Sequence, residues 1–266
     1  MLSGQGADEP HGGYGRHQAA FALGVAAKLG PLAIPLRAAA GLAKRSSTAL
    51  RTRRMLGDMP ASQRLMQLIE ITDEPVREAL VGSRGDAAAA ERTALAQDVL
   101  GDVGDRGLVE QALYLDTHLF LPDHLLLCAD KMSMSASLEQ RVPFLDVELM
   151  RFVERIPARE RVRPREGKRL HRRAMSRLLP REITDRPKYG FSSPIEDWLR
   201  ESLGTEVERR YGPGEPLAGI VRPEAVKRLV AEHRRGRADH KSVLYCLLEL
   251  SEWHHAFVEA RQPVAA

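Results

Sequence analysis

A glycine-rich turn stands at the head of the chain: Leu2-Ser3-Gly4-Gln5-Gly6-Ala7-Asp8-Glu9, followed by Gly12-Gly13-Tyr14. Gly4 and Gly6 carry no Cβ, so they permit positive φ and let a ligand approach the backbone closely. Asp8 and Glu9 add the hard carboxylate oxygens that Mg²⁺ prefers. A phosphate-bearing ligand with its metal ion suits that combination. An ordinary turn of small residues is the plain alternative, because glycine patterns are weakly specific. In α/β proteins such a turn normally follows a buried strand at the carboxyl edge of a sheet. Here only Met1 and Leu2 precede it, so they read as the stub of a strand.

Almost everything after residue 13 reads as helix. Phe21, Leu23, Val25 and Leu29 supply apolar surface to a helix from Gly13 to Gly30, which Pro31 and Pro35 break. Leu36–Met55 and Ala61–Glu70 are further helical stretches. The alanine run beyond Gly82 and Gly85 reads as a surface linker over 82–90. Leu108, Ala112, Leu115 and Leu119 lie near the spacing of one helix face. Leu121-Pro122-Asp123 is expected to start a new helix, with proline at its first position. Asp146 is placed to cap a helix carrying Val147, Leu149, Met150 and Val153. Lys168–Leu179 reads as a basic amphipathic helix, with Leu170, Met175, Leu178 and Leu179 on its apolar side. Pro223–His233 and Lys241–Phe257 close the chain, the latter with Val243, Leu247, Leu250 and Phe257 on one stripe.

The 266 residues allow one large domain or two small ones, and 43% apolar content suffices for a core. Lys and Arg exceed Asp and Glu by only 40 to 36, which supports no nucleic-acid partner. Arg169, Arg172, Arg173, Arg177 and Arg181 form a local cluster, either a solvated helix face or a basic patch that attracts phosphate. Cys128 and Cys246 sit in apolar helical contexts and read as buried, reduced thiols, which points to the cytoplasm. No apolar run approaches the roughly 20 residues that span a bilayer, so no membrane partner is expected. His11, His17 and the His254-His255 pair are not spaced with other ligands for a metal, and read as surface or helix-packing residues.

Two later blocks add to the opening turn. One runs Asp130-Lys131-Met132-Ser133-Met134-Ser135, then Ser137-Leu138-Glu139-Gln140-Arg141-Val142-Pro143-Phe144-Leu145-Asp146. The other is Gly167-Lys168-Arg169-Leu170 followed by Arg186-Pro187-Lys188-Tyr189-Gly190-Phe191. In this order, over Leu2 to Arg200, the three blocks resemble the glutamine-hydrolysing asparagine synthetase family. The resemblance implies a mainly α chain: the C-terminal helical portion of an α/β adenine-nucleotide-binding, PP-loop ATPase-like synthetase domain.

What the resemblance implies is ATP-dependent amide formation. An acceptor carboxylate, by default aspartate, is adenylated with loss of pyrophosphate, and ammonia attacks the acyl-adenylate. Cofactors are then ATP and Mg²⁺. On the matching positions Asp8 is the candidate Mg²⁺ ligand, with Glu9 beside it as the weaker one. Ser3, Gly4 and Gly6 would lie against the nucleotide or acyl-adenylate. Lys188 is the candidate charge partner of the departing pyrophosphate, a role that suits a compact charge on a flexible stem. Lys168 either assists or simply opens a solvated helix. Gln5 stands where the aspartate-specific pattern has glutamate and the β-lactam synthetases have tyrosine, so it is expected near the acceptor or attacking nucleophile. Glutamine can hydrogen-bond but is no base near neutral pH, which puts aspartate as acceptor in doubt. Glu139 and Arg141, in the central block, read as a buried ion pair between helices.

Full-length members of the family begin with a glutaminase domain that supplies the ammonia, and carry a pyrophosphate loop upstream of the Ser-Gly-x-Gly block. Neither occurs in these residues. The expectation is therefore a partial synthetase domain over 1–266, inactive alone, with apolar surface exposed where a lost sheet would pack. Self-association, or association with a missing N-terminal half, follows from that expectation. The alternative is a non-catalytic helical interaction module, or one half of a split synthetase.

Overall fold

The computed structural model describes residues 1–29, 59–164, 166–186 and 194–259. The expected helix over Leu36–Met55 lies outside the described residues, as do Lys188 and Gly190. Among the described residues the chain is mainly helical, and only two isolated β-bridges occur: Leu2 with Arg141, parallel, and Arg163 with Glu166, antiparallel. The strand stub at the N-terminus is thus one bridge.

The chain divides into two compact units, Met1–Ile69 with Glu91–Pro187, and Glu70–Ala90 with Lys188–Ala266. In the first unit the Gly15–Leu29 helix packs on the Leu108–Leu115 helix and on the Ala61–Ile69 helix. The packed face of Gly15–Leu29 mixes His17 and Leu23 with small residues. Ala20 is fully buried, and a Cβ at Gly24 would meet Leu108 Cβ at 3.8 Å. Leu65, Met66, Val109, Leu113, Leu115 and Val162 complete this core. In the second unit, helices Glu74–Val81, Ile195–Arg200, Ser202–Arg210, Pro223–Arg234 and Lys241–His254 enclose Leu199, Val207, Tyr211, Leu229, Val230 and Leu244. Burial of Tyr211 is compatible with its hydroxyl because that group donates to the Leu247 carbonyl at 2.7 Å.

Several expectations are corrected. Pro122 starts no helix: the chain runs from the Leu108–Leu115 helix through a π-helical stretch, Asp116–Leu126, into the Leu127–Ser135 helix. Wider i→i+5 turns accommodate a residue that donates no hydrogen bond. They also rotate the face, so Cys128 no longer aligns with buried Leu121 and is exposed. Cys246 is exposed too, one position short of the buried stripe of Val243 and Leu247. The apolar part of that stripe ends at Leu247: Leu250 and Phe257 are exposed, and the buried residue one turn on is Ser251. The expected linker over 82–90 is mostly helix, because Gly82 ends Glu74–Val81 at φ 60° and Arg84–Gly101 follows at once. Glu139 and Arg141 do form an ion pair, but an exposed one between neighbours on one segment. The basic helix is shorter than expected, Arg169–Met175, and Leu178 beyond it is 74% exposed.

The cap on Val147–Glu154 is as expected: Asp146 Oδ1 accepts from the amides of Glu148 at 3.1 Å and Leu149 at 3.0 Å. Replacing Asp146 by alanine orphans both amides and is expected to lower unfolding free energy by about 1 kcal/mol. Urea unfolding followed by circular dichroism measures this, and an unchanged midpoint would remove the cap from the account.

Candidate functional site

The opening turn is knitted to the central block. Ser3 N donates to the Arg141 carbonyl at 2.9 Å, and Gln140 Nε2 donates to Gln5 Oε1 at 3.3 Å. Gly6 takes φ +78°, and a Cβ there would lie 2.3 Å from Leu145 Cδ2. Two blocks about 135 residues apart in sequence therefore meet as one wall. Gly4 is different: a Cβ there would have nothing within 4 Å, so its small size serves no packing need. Ser3 Oγ accepts the Gln5 amide at 3.3 Å, which holds the turn between them.

Behind this wall the turn closes on itself, with Gly13 N donating to the Asp8 carbonyl at 2.8 Å. Asp8 Oδ1 lies 3.2 Å from Lys168 Nζ, with both side chains about a quarter exposed, at 26% and 28%. Gly13 makes the space for them: a Cβ on it would sit 1.6 Å from Asp8 Oδ1 and 2.6 Å from Lys168 Cε. Lys168 adopts a left-handed backbone, φ 52°, at the start of the Arg169–Met175 helix. Of the residues singled out from sequence, the structure thus brings together Asp8 and Lys168.

Glu9, next in sequence, points elsewhere. It is 1% exposed, Oε1 accepts the Tyr14 hydroxyl, and Oε2 has no hydrogen-bond partner. Burial and the neighbouring Glu9 carboxylate push the Tyr14 hydroxyl far above its ordinary range, so it stays a donor. Tyr14 is in turn bound to the helix behind it. Its amide donates to His17 Nδ1 at 3.4 Å, which leaves the proton on Nε2, 2.6 Å from Asp116 Oδ2. Arg16 Nε donates to the same Oδ2 at 2.7 Å, and its guanidinium lies over the Tyr14 and Phe120 rings. His17 is fully buried, so of the two readings open for it the helix-packing one holds.

His11 is the residue sequence reasoning undervalued. It is buried, its Nδ1 has no partner, and its ring lies 5.3 Å from His171 and 6.4 Å from Phe144. Desolvation, then the charges of His171, Arg161 and Lys168, lower its pKa to about 4, so the imidazole is neutral at pH 7. The available signal was position, since His11 lies between the acidic pair and Gly12-Gly13. Of the arginine cluster, Arg169 is taken by Glu160 at 2.8 Å and Glu166 at 3.3 Å, and Arg172 by the Thr184 carbonyl at 2.8 Å. Arg173, Arg177 and Arg181 are exposed.

Among the described residues no group of three or more His, Cys, Asp or Glu side chains could hold a metal ion. That does not disqualify Mg²⁺, which usually takes one or two carboxylates, several waters and the substrate's phosphates. Asp8 supplies one such carboxylate at the rim, while Glu9 is buried and held by Tyr14. One carboxylate is enough to fit that ion. The glycine turn thus holds a carboxylate against an ammonium, with both groups partly open to solvent.

The chain belongs to the asparagine synthase family, whose profile matches residues 1–255. It is 34% identical over 265 residues to a putative glutamine-hydrolysing asparagine synthetase of Mycobacterium bovis, covering 97% of this chain and 39% of that protein. The Mycobacterium tuberculosis protein of the same description gives the same figures. A glutamine-hydrolysing asparagine synthetase of Bacillus subtilis is 26% identical over 264 residues, covering 98% of this chain and 41% of that protein. The chain thus spans about two fifths of the length of these relatives. No solved structure matches it. No helix among the described residues is long and apolar enough to cross a membrane.

Proposed function

We propose that this chain is the helical, C-terminal part of the synthetase domain of an ATP-dependent amidotransferase, an adenine-nucleotide-binding domain of the PP-loop type. In this reading an acceptor carboxylate, aspartate by default, is adenylated and then attacked by ammonia that a glutaminase domain releases from glutamine. Family membership supports a ligase of this general kind, and the cytoplasm is the compartment where its substrates meet. The observation that carries the reading is the Asp8–Lys168 pair beneath the glycine turn. Asp8 would hold Mg²⁺, with Glu9 Oε2 in reserve, and the ion supplies charge neutralisation to the phosphates when bound. Lys168 would exchange its partner Asp8 for a phosphate oxygen, and Lys188 would meet the departing pyrophosphate. Gly4, with open space at its Cα, gives the backbone approach to the nucleotide, and Ser3 and Gly6 shape the turn beside it. Gln5, already bonded to Gln140, would orient the acceptor through its amide.

Titration calorimetry with Mg²⁺-pyrophosphate tests the pair. Asp8→Asn is expected to weaken binding about tenfold, the equivalent of about 1.4 kcal/mol. Equal binding by wild type and Asp8→Asn removes Asp8 from the metal. The 266 residues alone are expected to give no carboxylate-dependent ATP–pyrophosphate exchange, and robust exchange from them overturns the incomplete-domain part of the reading.

A further inference from the structure

The first unit holds a cavity of about 170 Å³, lined in part by Pro10, that the proposed chemistry does not use. Its most constrained wall is Arg161. This side chain is 5% exposed, its Nη1 donates to the Pro10 carbonyl at 2.8 Å, and its Nε is buried without a hydrogen-bond partner. Burying a guanidinium with a donor unsatisfied is costly, so the site is built for something that accepts from it. Arg106 lines the same cavity and adds a second guanidinium. Three carboxylates, Asp102, Glu110 and Glu154, line the cavity as well. Glu110 Oε1 accepts the Ala158 amide at 3.3 Å, and an Asp102 oxygen lies 3.4 Å from the Tyr114 hydroxyl. Glu110 and Glu154 lie near enough to favour the charged form of Arg161, yet neither hydrogen-bonds its Nε, so both signs of charge line one cavity and that donor stays open. Leu113 and Val103 give it an apolar patch.

We propose that this cavity binds a small zwitterion of the amino-acid class. The carboxylate of the ligand accepts from Arg161 Nε and Arg106, where a planar, charge-assisted donor set matches it. Its ammonium donates to Glu154, Glu110 and Asp102, and a short side chain packs on Leu113 and Val103. The volume suits a residue of alanine to glutamine size. A lone anion would meet three carboxylates, and a lone cation two guanidiniums; only a ligand carrying both charges is matched by both sets. Because Pro10 lines the cavity and its carbonyl holds Arg161, the occupant sits next to the segment that carries Asp8 and Glu9.

Calorimetry on the full chain, without nucleotide, tests this with neutral L-amino acids from alanine to glutamine. At least one is expected to bind with a Kd on the order of millimolar, as suits so few heavy atoms. Propionate and ethylamine, each carrying one of the two charges of alanine, are expected to bind at least about tenfold more weakly than that amino acid. Arg161→Gln is expected to abolish binding. Since Arg161 is buried and that variant can fail to fold, Glu154→Gln on the exposed rim is the second test. It is expected to keep the unliganded melting temperature and lose about tenfold in affinity. Absence of saturable binding by every amino acid up to about 50 mM, equal binding by propionate or by ethylamine, or unchanged affinity in a folded Glu154→Gln each overturns the proposal.

Discussion

Asp116→Ala is expected to destabilise the first unit by about 3–5 kcal/mol, the range seen when one partner of a buried ionic cluster is removed. Asp116 lies in the π-helical stretch and receives two donors on one oxygen, Arg16 Nε at 2.7 Å and His17 Nε2 at 2.6 Å. With the carboxylate gone, a fully buried imidazole N–H has no acceptor. The Arg16 guanidinium, whose Nη2 is already without a partner, loses its counter-charge as well. The loss should propagate, because His17 Nδ1 accepts the Tyr14 amide and the Tyr14 hydroxyl holds Glu9. Asp116→Asn keeps an acceptor of the same shape and should lose only about 1–3 kcal/mol, the cost of one weakened charge-assisted bond. Urea unfolding of the three proteins, with tertiary signal read from Trp198 or Trp253 kept separate from helix content, distinguishes the first unit from the second. Both tryptophans lie in the second unit, so their transition should stay put while part of the helix signal melts early. If Asp116→Ala and Asp116→Asn unfold together, within about 0.5 kcal/mol of wild type, this cluster does not anchor the turn.

What could be read from the sequence alone was local. Asp146 declares its cap two and three residues ahead, and the helix beginning at Pro223 announces itself by proline at the start. That the chain is mainly helical followed from periodicity for the same reason. The exceptions are instructive because each depends on a partner remote in sequence or on a register that periodicity assumes. Cys128 reads as buried from its apolar helical neighbours, but the segment leading to it is π-helical and the thiol is exposed. Glu139 and Arg141 were placed between helices on the strength of their charges, yet they pair along one exposed segment. In the candidate site, Asp8 was legible as a carboxylate after a glycine turn, but its pairing with Lys168 crosses 160 residues and needs Gly13 to leave room. His11 had only its position beside the acidic pair to mark it, and Arg161 had nothing, since what distinguishes both is an unsatisfied nitrogen in a buried place. Lys188 lies outside the described residues, so its meeting with Asp8 stands as a proposal.

Gly12→Ala is expected to cost about 3 kcal/mol, although the added group is one methyl. Two effects combine. Gly12 adopts φ +75°, a left-handed conformation that charges a residue with a Cβ about 1 kcal/mol. The new Cβ would also sit 2.0 Å from Val162 Cγ2, inside any permitted contact, and 3.7 Å from Leu113 Cδ2. Val162 cannot swing aside, because it is fully buried against Leu113, Ala158 and their neighbours, so the overlap must be relieved by moving backbone. Overpacking of that kind costs about 1–3 kcal/mol. Gly4→Ala is the matched control: its Cβ would have nothing within 4 Å and its φ is not positive, so stability should stay within about 0.5 kcal/mol of wild type. The two glycines therefore differ: Gly12 is small for the core, and Gly4 has no packing reason to be small. Thermal unfolding separates them, with a fall of about 6–12 °C for Gly12→Ala and almost none for Gly4→Ala. Mg²⁺-pyrophosphate affinity should reverse the order, with Gly4→Ala folded yet binding more weakly than wild type. A Gly4→Ala protein that both folds and binds as wild type does would leave Gly4 with no role in either, and the turn would then be a structural one.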